Sequence, residues 1–518
     1  MNIIIPMAGH SRRFKKAGYQ VPKPFIKIGD QPMIAHVVDM FSPSDKFHFI
    51  MNTEQAAENQ EWVHMLKHIV PNSKIIVIEP HEKGPVFSAL QAENIPDDEE
   101  VIISYCDFIV DWDYKRFLRE ARNHSASIPV FRGFHPASFG DTYYAYIRAD
   151  GRRMLELLEK QSFTTNRIDE YASAGIYYFG SQKIFMQYAE ALLQTHDFKK
   201  QEAYVSLLYN PMVADGLDVV IHEVCRFVCW GTPQDLEHYL FWRQYFVELK
   251  EDRFKSFHPR SESVNTALIP MAGRGARFRS EGYRVSKALI QVLGKPMIIS
   301  ACESFPKADN WIYLVQAEEL AKHPIEKTLR KFSPECKVIA VDGVTSGQAS
   351  TCLLADGLIQ ADSDLFIASC DYQTIYNTEK WNEILDDSSI DGAIWTCRLG
   401  RTLFLDPSAF AYCRVGEDGR MVTEVVEKRI ISNHPERDPM VVGSFWFRRA
   451  RDFMVGAKEM ITRNVTVNGE HYVGTSINEL LKMGHRFVIF DIEQWISFGN
   501  PFEIRVFEYW QDHFAERS

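Results

Sequence analysis

Pro6-Met7-Ala8-Gly9-His10-Ser11-Arg12-Arg13-Phe14 follows a short apolar run, and 264 residues later the text returns as Pro270-Met271-Ala272-Gly273-Arg274-Gly275-Ala276-Arg277-Phe278. At the same offset Gly18-Tyr19-Gln20-Val21-Pro22-Lys23 matches Gly282-Tyr283-Arg284-Val285-Ser286-Lys287, and Pro32-Met33-Ile34 matches Pro296-Met297-Ile298. That many identities at one spacing read as two copies of one domain. Each copy opens on a branched apolar run, residues 2–5 or 266–269, which predicts a buried strand. The small-residue turn that follows lets backbone N–H groups come close to a phosphate chain. Arg13 and Arg277 add a planar fork matched to phosphate oxygens; Lys23 and Lys287 add a point charge.

The 518 residues are 46% hydrophobic and 25% charged, an ordinary balance for a globular chain. The repeat predicts domains over 1–250 and 264–518, with a charged, polar, Pro-containing linker over 251–263. A net charge of −11 argues against nucleic acid as a partner, since such binders present a basic domain or stripe. The first apolar run is too short for a signal peptide, and no stretch is long enough to insert in a membrane. Nine cysteines without a C-x-x-C pair fit a reducing cytoplasm. His222, Cys225 and Cys229 are expected on one strand face without a matching second ligand group, so they read as core rather than as a metal site. A homo-oligomer remains open.

Along each copy, strands and helices alternate: strands over 47–52 and 73–78, helices over 33–41 and 60–68. This predicts an α/β layered domain with a mostly parallel sheet, in which ligands sit at the carboxyl ends of strands. Gly84 and Gly347 each lead a turn into a helix that can hold a base or phosphate. Gln348 carries an amide able to read a base edge where the first copy has Pro85, so the copies need not read the same base. Strands over 100–105 and 365–369 end at Asp107 and Asp371, where a hard divalent cation can be held beside phosphates. Asp150-Gly151 and Asp418-Gly419 signal hairpins that lead to Glu159-Lys160 and Glu427-Lys428. Gly175 and Gly443, now at an offset of 268, mark places where a ligand can approach the backbone. Trp230-Gly231-Thr232-Pro233 and Phe498-Gly499-Asn500-Pro501 close the copies, each followed by an aromatic stripe (Trp242 and Phe246, Trp510 and Phe514) that reads as packing.

These residues resemble the sugar-nucleotide (nucleoside-triphosphate) transferases with a Rossmann-like fold, once per half. Pro22-Lys23 and Gly231-Thr232-Pro233 carry the likeness in the first half; Gly273, Gly275, Arg277 and Glu427-Lys428 carry it in the second. The runs 169–175, 202–205 and 467–473 look like a bacterial subgroup linked to capsule or surface-polysaccharide assembly. The resemblance implies two tandem Rossmann-like nucleotidyltransferase domains, each a mixed, mostly parallel sheet flanked by helices. It implies a nucleotidyl group passing from a nucleoside triphosphate to a sugar phosphate or related phosphate, with release of pyrophosphate and with Mg2+ as cofactor. By that likeness Arg13, Lys23, Arg277 and Lys287 hold the triphosphate, while Lys160 and Lys428 meet the acceptor. Ala8, Gly9, Ser11 and Gly84 line the first nucleotide site, and Ala272, Gly273, Gly275, Gly347 and Gln348 the second. Glu159, Gly175, Glu427 and Gly443 fall to the acceptor, and Asp107 and Asp371 to the metal.

The chain also departs from the family. Many members carry a second metal-binding Asp two residues before the last Gly, where this chain has Cys229 and Ser497. Glu223 and Asp491 lie six residues upstream, roughly 20 Å away along a regular strand. Ser11 stands opposite Gly275, Pro22 opposite Ser286 and Thr232 opposite Asn500. Two other readings remain at this point: a nucleotide-sugar-using glycosyltransferase, or one copy reduced to a non-catalytic nucleotide-sugar-binding or regulatory module. The base is open; cytidine follows only from relatives acting on non-sugar phosphates.

Overall fold

Ile3, Ile4 and Ile5 have no solvent exposure at all, as a strand covered on both faces requires. They belong to strand Asn2–Pro6, which runs parallel to Lys46–Asn52 on one side and to Val101–Ser104 on the other. The computed structural model describes residues 1–58, 60–140, 143–250, 263–398 and 406–515. Within them the chain forms two compact units, Met1–Leu240 and Phe241–Ser518. The linker expected over 251–263 lies, Ser263 apart, outside the described residues.

In the first unit, Lys74–Ile78 extends the parallel part of the sheet beside Lys46–Asn52. Beyond Val101–Ser104 the order is Ile176–Phe179, Ala126–Phe131, Val219–Glu223, Arg153–Glu159, Ala145–Asp150 and Tyr171–Ser173. There only Val219–Glu223 against Ala126–Phe131 is parallel; the other ladders are antiparallel. The sheet is thus mixed but not mostly parallel, which corrects the expectation from alternating strands and helices. After Asp107 the chain returns partly by tight turns such as Asp150-Gly151, and a short hairpin can join only antiparallel strands.

The second unit follows the same plan. Val264–Met271 lies parallel between Ala308–Gln316 and Leu365–Ile367, with Lys337–Val341 outermost. On the other flank Met440–Phe447 runs antiparallel to both Leu365–Ile367 and Gly392–Cys397, and Phe487–Asp491 joins in parallel. Trp381, Trp395 and Trp446 fill its interior. Trp242, Phe246, Trp510 and Phe514 are buried. Among the described residues no helix is long and apolar enough to cross a membrane.

One of the two-stranded sheets in each unit brings the end of that unit's fold back to its middle. Arg226–Cys229 pairs with Phe108–Asp111, and Gln494–Ser497 pairs with Tyr372–Ile375. As a result Trp230 N donates to Asp107 O, and Phe498 N to Asp371 O, both at 2.7 Å. This overturns the placement of His222, Cys225 and Cys229 on one strand face. The chain turns after Glu223, so His222 lies in a strand of the main sheet while Cys229 ends a strand of the small one.

Candidate active site

The loop after strand Asn2–Pro6 reverses direction at Ser11, whose φ of 54° is left-handed; Gly275 takes φ 59° at the matching place. Such a backbone costs a residue with a Cβ about 1 kcal/mol. Ser11 offsets this locally, because its Oγ accepts a hydrogen bond from Lys23 N at 3.0 Å. That bond ties the phosphate-loop candidate to Lys23. The Lys23 ammonium is ion-paired with Asp107 Oδ2, donates to Gly231 O at 3.1 Å, and lies 5.5 Å from the Phe14 ring centre. Lys287 repeats all three contacts: Asp371 Oδ2 at 2.5 Å, Gly499 O at 3.2 Å, Phe278 at 5.4 Å. Burial pulls both amines toward neutrality, but the facing carboxylates outweigh it and the net shift is upward. Both lysines are therefore firmly cationic. The groups that hold this charge, a carboxylate and a backbone carbonyl, are the hard oxygen donors that magnesium takes.

Lys160 and Lys428 sit just past strands Arg153–Glu159 and Val422–Val426, with φ of 59° and 52°. Lys160 Nζ donates to Tyr143 O at 3.0 Å and lies 5.2 Å from the Tyr204 ring centre. Lys428 Nζ donates to Ala409 O at 2.6 Å and lies 5.6 Å from Tyr472. The acids beside them differ. Glu159 accepts from Ser206 Oγ; burial pushes its pKa up and that hydroxyl restrains the rise. Opposite Ser206 the second unit has Gly474, and without a hydroxyl the buried Glu427 is pushed up to about 7.

The glycine-led turns are held by backbone pairing with the 202–205 and 470–473 segments. Ala203 N donates to Lys83 O and Val86 N to Ala203 O, each at 3.1 Å; in the second unit His471 N donates to Ser346 O at 2.8 Å and Ala349 N to His471 O at 3.0 Å. A Cβ on Gly84 would stand 2.7 Å from Ala203 N, and one on Gly347 would collide with the His471 backbone. Gln348 Nε2 donates to Ser369 Oγ at 3.3 Å, which orients its amide.

In the first unit Ala8, Gly9, Ser11, Arg13, Lys23, Gly84, Asp107, Glu159, Lys160 and Gly175 all line one cavity of about 670 Å³. Gly175 also has a packing reason for lacking a side chain, since a Cβ there would meet the Phe108 ring at 2.8 Å. In the second unit a cavity of about 470 Å³ gathers Gly273, Gly275, Arg277, Lys287 and Asp371. Ala272, Gly347, Gln348, Glu427, Lys428 and Gly443 are not among the residues that line it. Glu223 and Asp491 are engaged elsewhere, by Arg132 at 2.9 Å and Arg398 at 3.1 Å. Sequence reasoning gave no role to Tyr204 and Tyr472 beneath the lysines, nor to Ser206, Asp235 and Glu503. The tyrosines were in view inside the 202–205 and 467–473 runs, but a motif does not show which side chain it lies against.

The first cavity holds Lys23, Gly231 and Thr232, which carry the resemblance in the first half. Residues 2–210 match the family model described as Nucleotidyl transferase. Among curated proteins the chain is similar to mannose-1-phosphate guanyltransferase beta-B of Xenopus laevis, 24% identical over 187 residues, 35% of this chain and 49% of the relative. The mannose-1-phosphate guanylyltransferase catalytic subunit beta of Danio rerio is 26% identical over 187 residues with the same coverage. The chain spans about half the length of these curated relatives. Among solved structures it is similar to a nucleoside-diphosphate-sugar pyrophosphorylase of Vibrio cholerae RC9, with 20% identity and a TM-score of 0.39, covering 46% of this chain and 99% of that one. The Nucleotidyl transferase match contains the Gly9 loop, Lys23, Gly84, Asp107 and Lys160, all of which line the first cavity.

Proposed function

We propose that the chain is a nucleotidyltransferase that joins a nucleoside triphosphate to a sugar phosphate or related phosphate and releases pyrophosphate. The observation that carries this reading is the lysine–aspartate seat beside a small-residue loop with an arginine, present at Lys23–Asp107 and again at Lys287–Asp371. An acceptor phosphate oxygen forms a bond to the α-phosphorus as the α–β bridging bond breaks, and the electron pair leaves with pyrophosphate. Little covalent work falls to the protein, whose task is to align two polyanions and offset their charge. Arg13 and Lys23 suit the triphosphate end, and Lys160, left-handed and held by a carbonyl and a ring, suits the acceptor phosphate. Asp107 and Asp371 would hold magnesium, which when bound supplies further neutralisation of the phosphates. The substrate of the named relatives makes GTP with mannose 1-phosphate the first pair to try. A place in cytoplasmic supply of precursors for a bacterial capsule or surface polysaccharide, and descent of both units from one duplicated domain, complete the proposal.

The test is pyrophosphate release by the full chain with GTP and mannose 1-phosphate, then with CTP, UTP, dTTP and ATP against a panel of sugar and polyol phosphates. Magnesium-dependent release that disappears in the Lys23→Met/Lys287→Met double variant is the expected result. Sugar transfer from a nucleotide sugar, with no pyrophosphate from any triphosphate, would replace this reading with a glycosyltransferase.

A further inference from the structure

Asp235 lies in the first turn of helix Pro233–Lys250 and is only 9% exposed. A methyl group built on Gly231 would stand 3.1 Å from Cys229 Sγ, 3.4 Å from Asp107 Oδ2 and 3.9 Å from Asp235 Oδ2. Both carboxylates therefore converge on the peptide unit whose carbonyl the Lys23 ammonium holds. Glu503, in the first turn of helix Pro501–Ala515, makes the same convergence in the second unit. There a methyl group on Gly499 would stand 3.1 Å from Glu503 Oε2, 3.4 Å from Ser497 Oγ and 3.6 Å from Asp371 Oδ2.

Helix capping accounts for part of this in the first unit. Thr232 N and Oγ1 donate to Asp235 Oδ2 at 3.1 and 2.7 Å, and Asp235 N donates back to Thr232 Oγ1 at 3.1 Å, a reciprocal cap. In the second unit capping accounts for less of it. There Asn500 Oδ1 accepts from Glu503 N at 3.0 Å, so the asparagine makes the cap. The Glu503 carboxylate accepts from Ser497 Oγ at 2.6 Å and from the Gly499 backbone N–H, beside Asp371. Two different acids, with different local bonds, reach the same place. Each acid also lies near the lysine of its unit: burial pushes its pKa up, and the ammonium opposes that rise. Neither acid is among the residues that line the cavities, so each stands behind the aspartate that does. Magnesium keeps much of its water, so an acid behind the first carboxylate can act through that shell.

We propose that Asp235 and Glu503 are the second acidic groups of the cation seats, paired with Asp107 and Asp371. They supply the negative charge that Cys229 and Ser497 do not. This rests on reading the site as that of a magnesium-assisted nucleotidyltransferase, and its test is independent of turnover. Mn2+ alone is titrated into the full chain and the free ion is followed by electron paramagnetic resonance. We expect two bound ions, with Asp235→Asn and Glu503→Gln each weakening one of them at least tenfold, as Asp107→Asn and Asp371→Asn do. Both variants are nearly isosteric, so metal-free melting temperatures should stay close to wild type. Adding Cys229→Asp to Asp235→Asn should restore the lost site, which separates lost charge from a damaged fold. Unchanged Mn2+ affinity in Asp235→Asn and Glu503→Gln, with loss in the Asp107 and Asp371 variants, overturns the inference and returns both acids to helix packing. Absence of Mn2+ binding by the wild type overturns it as well. Pyrophosphate release judges the nucleotidyltransferase reading separately in either case.

Discussion

Glu427 shows how one missing hydroxyl sets a residue's chemistry. Its carboxyl is buried, its pKa rises from 4.5 to about 7, and Lys428 only partly opposes the burial. Between those values the unfolded chain has released the proton while the folded chain keeps it, so the stability contribution falls as pH rises from about 4.5 to about 7 and is flat above. A shift of that size corresponds to at most about 3 kcal/mol. Glu427→Gln, which stays neutral, should remove this slope: its melting temperature should gain on wild type between about pH 5 and pH 7.5. Equal pH profiles for the two proteins would show that Glu427 does not titrate in this window. Gly474→Ser supplies the counterpart of Ser206, and a hydroxyl donating to the carboxylate favours its charged form. The new Cβ would lie 2.5 Å from Glu427 Oε1 and 2.9 Å from a Val425 methyl, so Glu427 must shift to accept the bond. The expected outcome is a flatter profile than wild type, read by the same thermal melts.

At the scale of elements, the paired segments around Gly84 and Gly347 fix two glycine-led turns; Gly84 lines the first cavity, and Gly347 is not among the residues that line the second. Their glycines are fixed by close backbone approach and by φ of 92° and 137°. Gly84→Ala should push the 83–86 turn off Ala203, costing about 2 kcal/mol or more through strain and lost backbone bonds. Thermal melts and triphosphate protection should both register this; a fully stable variant with normal protection would show the pairing to be incidental. The sequence made the turn itself legible, because Gly before a helical run is a local signal. Its partner was not legible: the contacting segment comes from over a hundred residues further on, and nothing in Ala203 or His471 announces that its backbone is used. The same limit explains the sheet. Short apolar runs predicted strands well, but the direction in which each returns depends on long connections that periodicity does not record. Lys23 and Asp107 stand in repeated motifs, whereas no motif marks Asp235 or Glu503. Only the small sheet formed by Phe108–Asp111 and Arg226–Cys229 brings that helix start back to Asp107.

At the scale of the whole chain, the two units share their lysine–aspartate seats but differ around them. Pro85 faces the position of Gln348, Ser206 that of Gly474, Cys229 that of Ser497, and Lys199 and Lys200 line the first cavity alone. A side-chain amide can hydrogen-bond a base edge and a proline cannot, so the units should prefer different triphosphates. A site that hydrogen-bonds its ligand strongly rejects one that leaves those groups unpaired. Pyrophosphate release measured against the five common triphosphates should therefore divide between the units. Lys23→Met should abolish turnover of one donor by at least a hundredfold and leave the other within about twofold, with Lys287→Met showing the reverse; such losses are the scale expected when one transition-state charge contact is removed. Gln348→Ala should weaken only the donor that Lys287→Met removes, and mainly through KM if the amide binds ground and transition states alike. Loss of every donor in one lysine variant, with none lost in the other, would mean that a single unit turns over substrate and that its twin keeps the seat for binding alone.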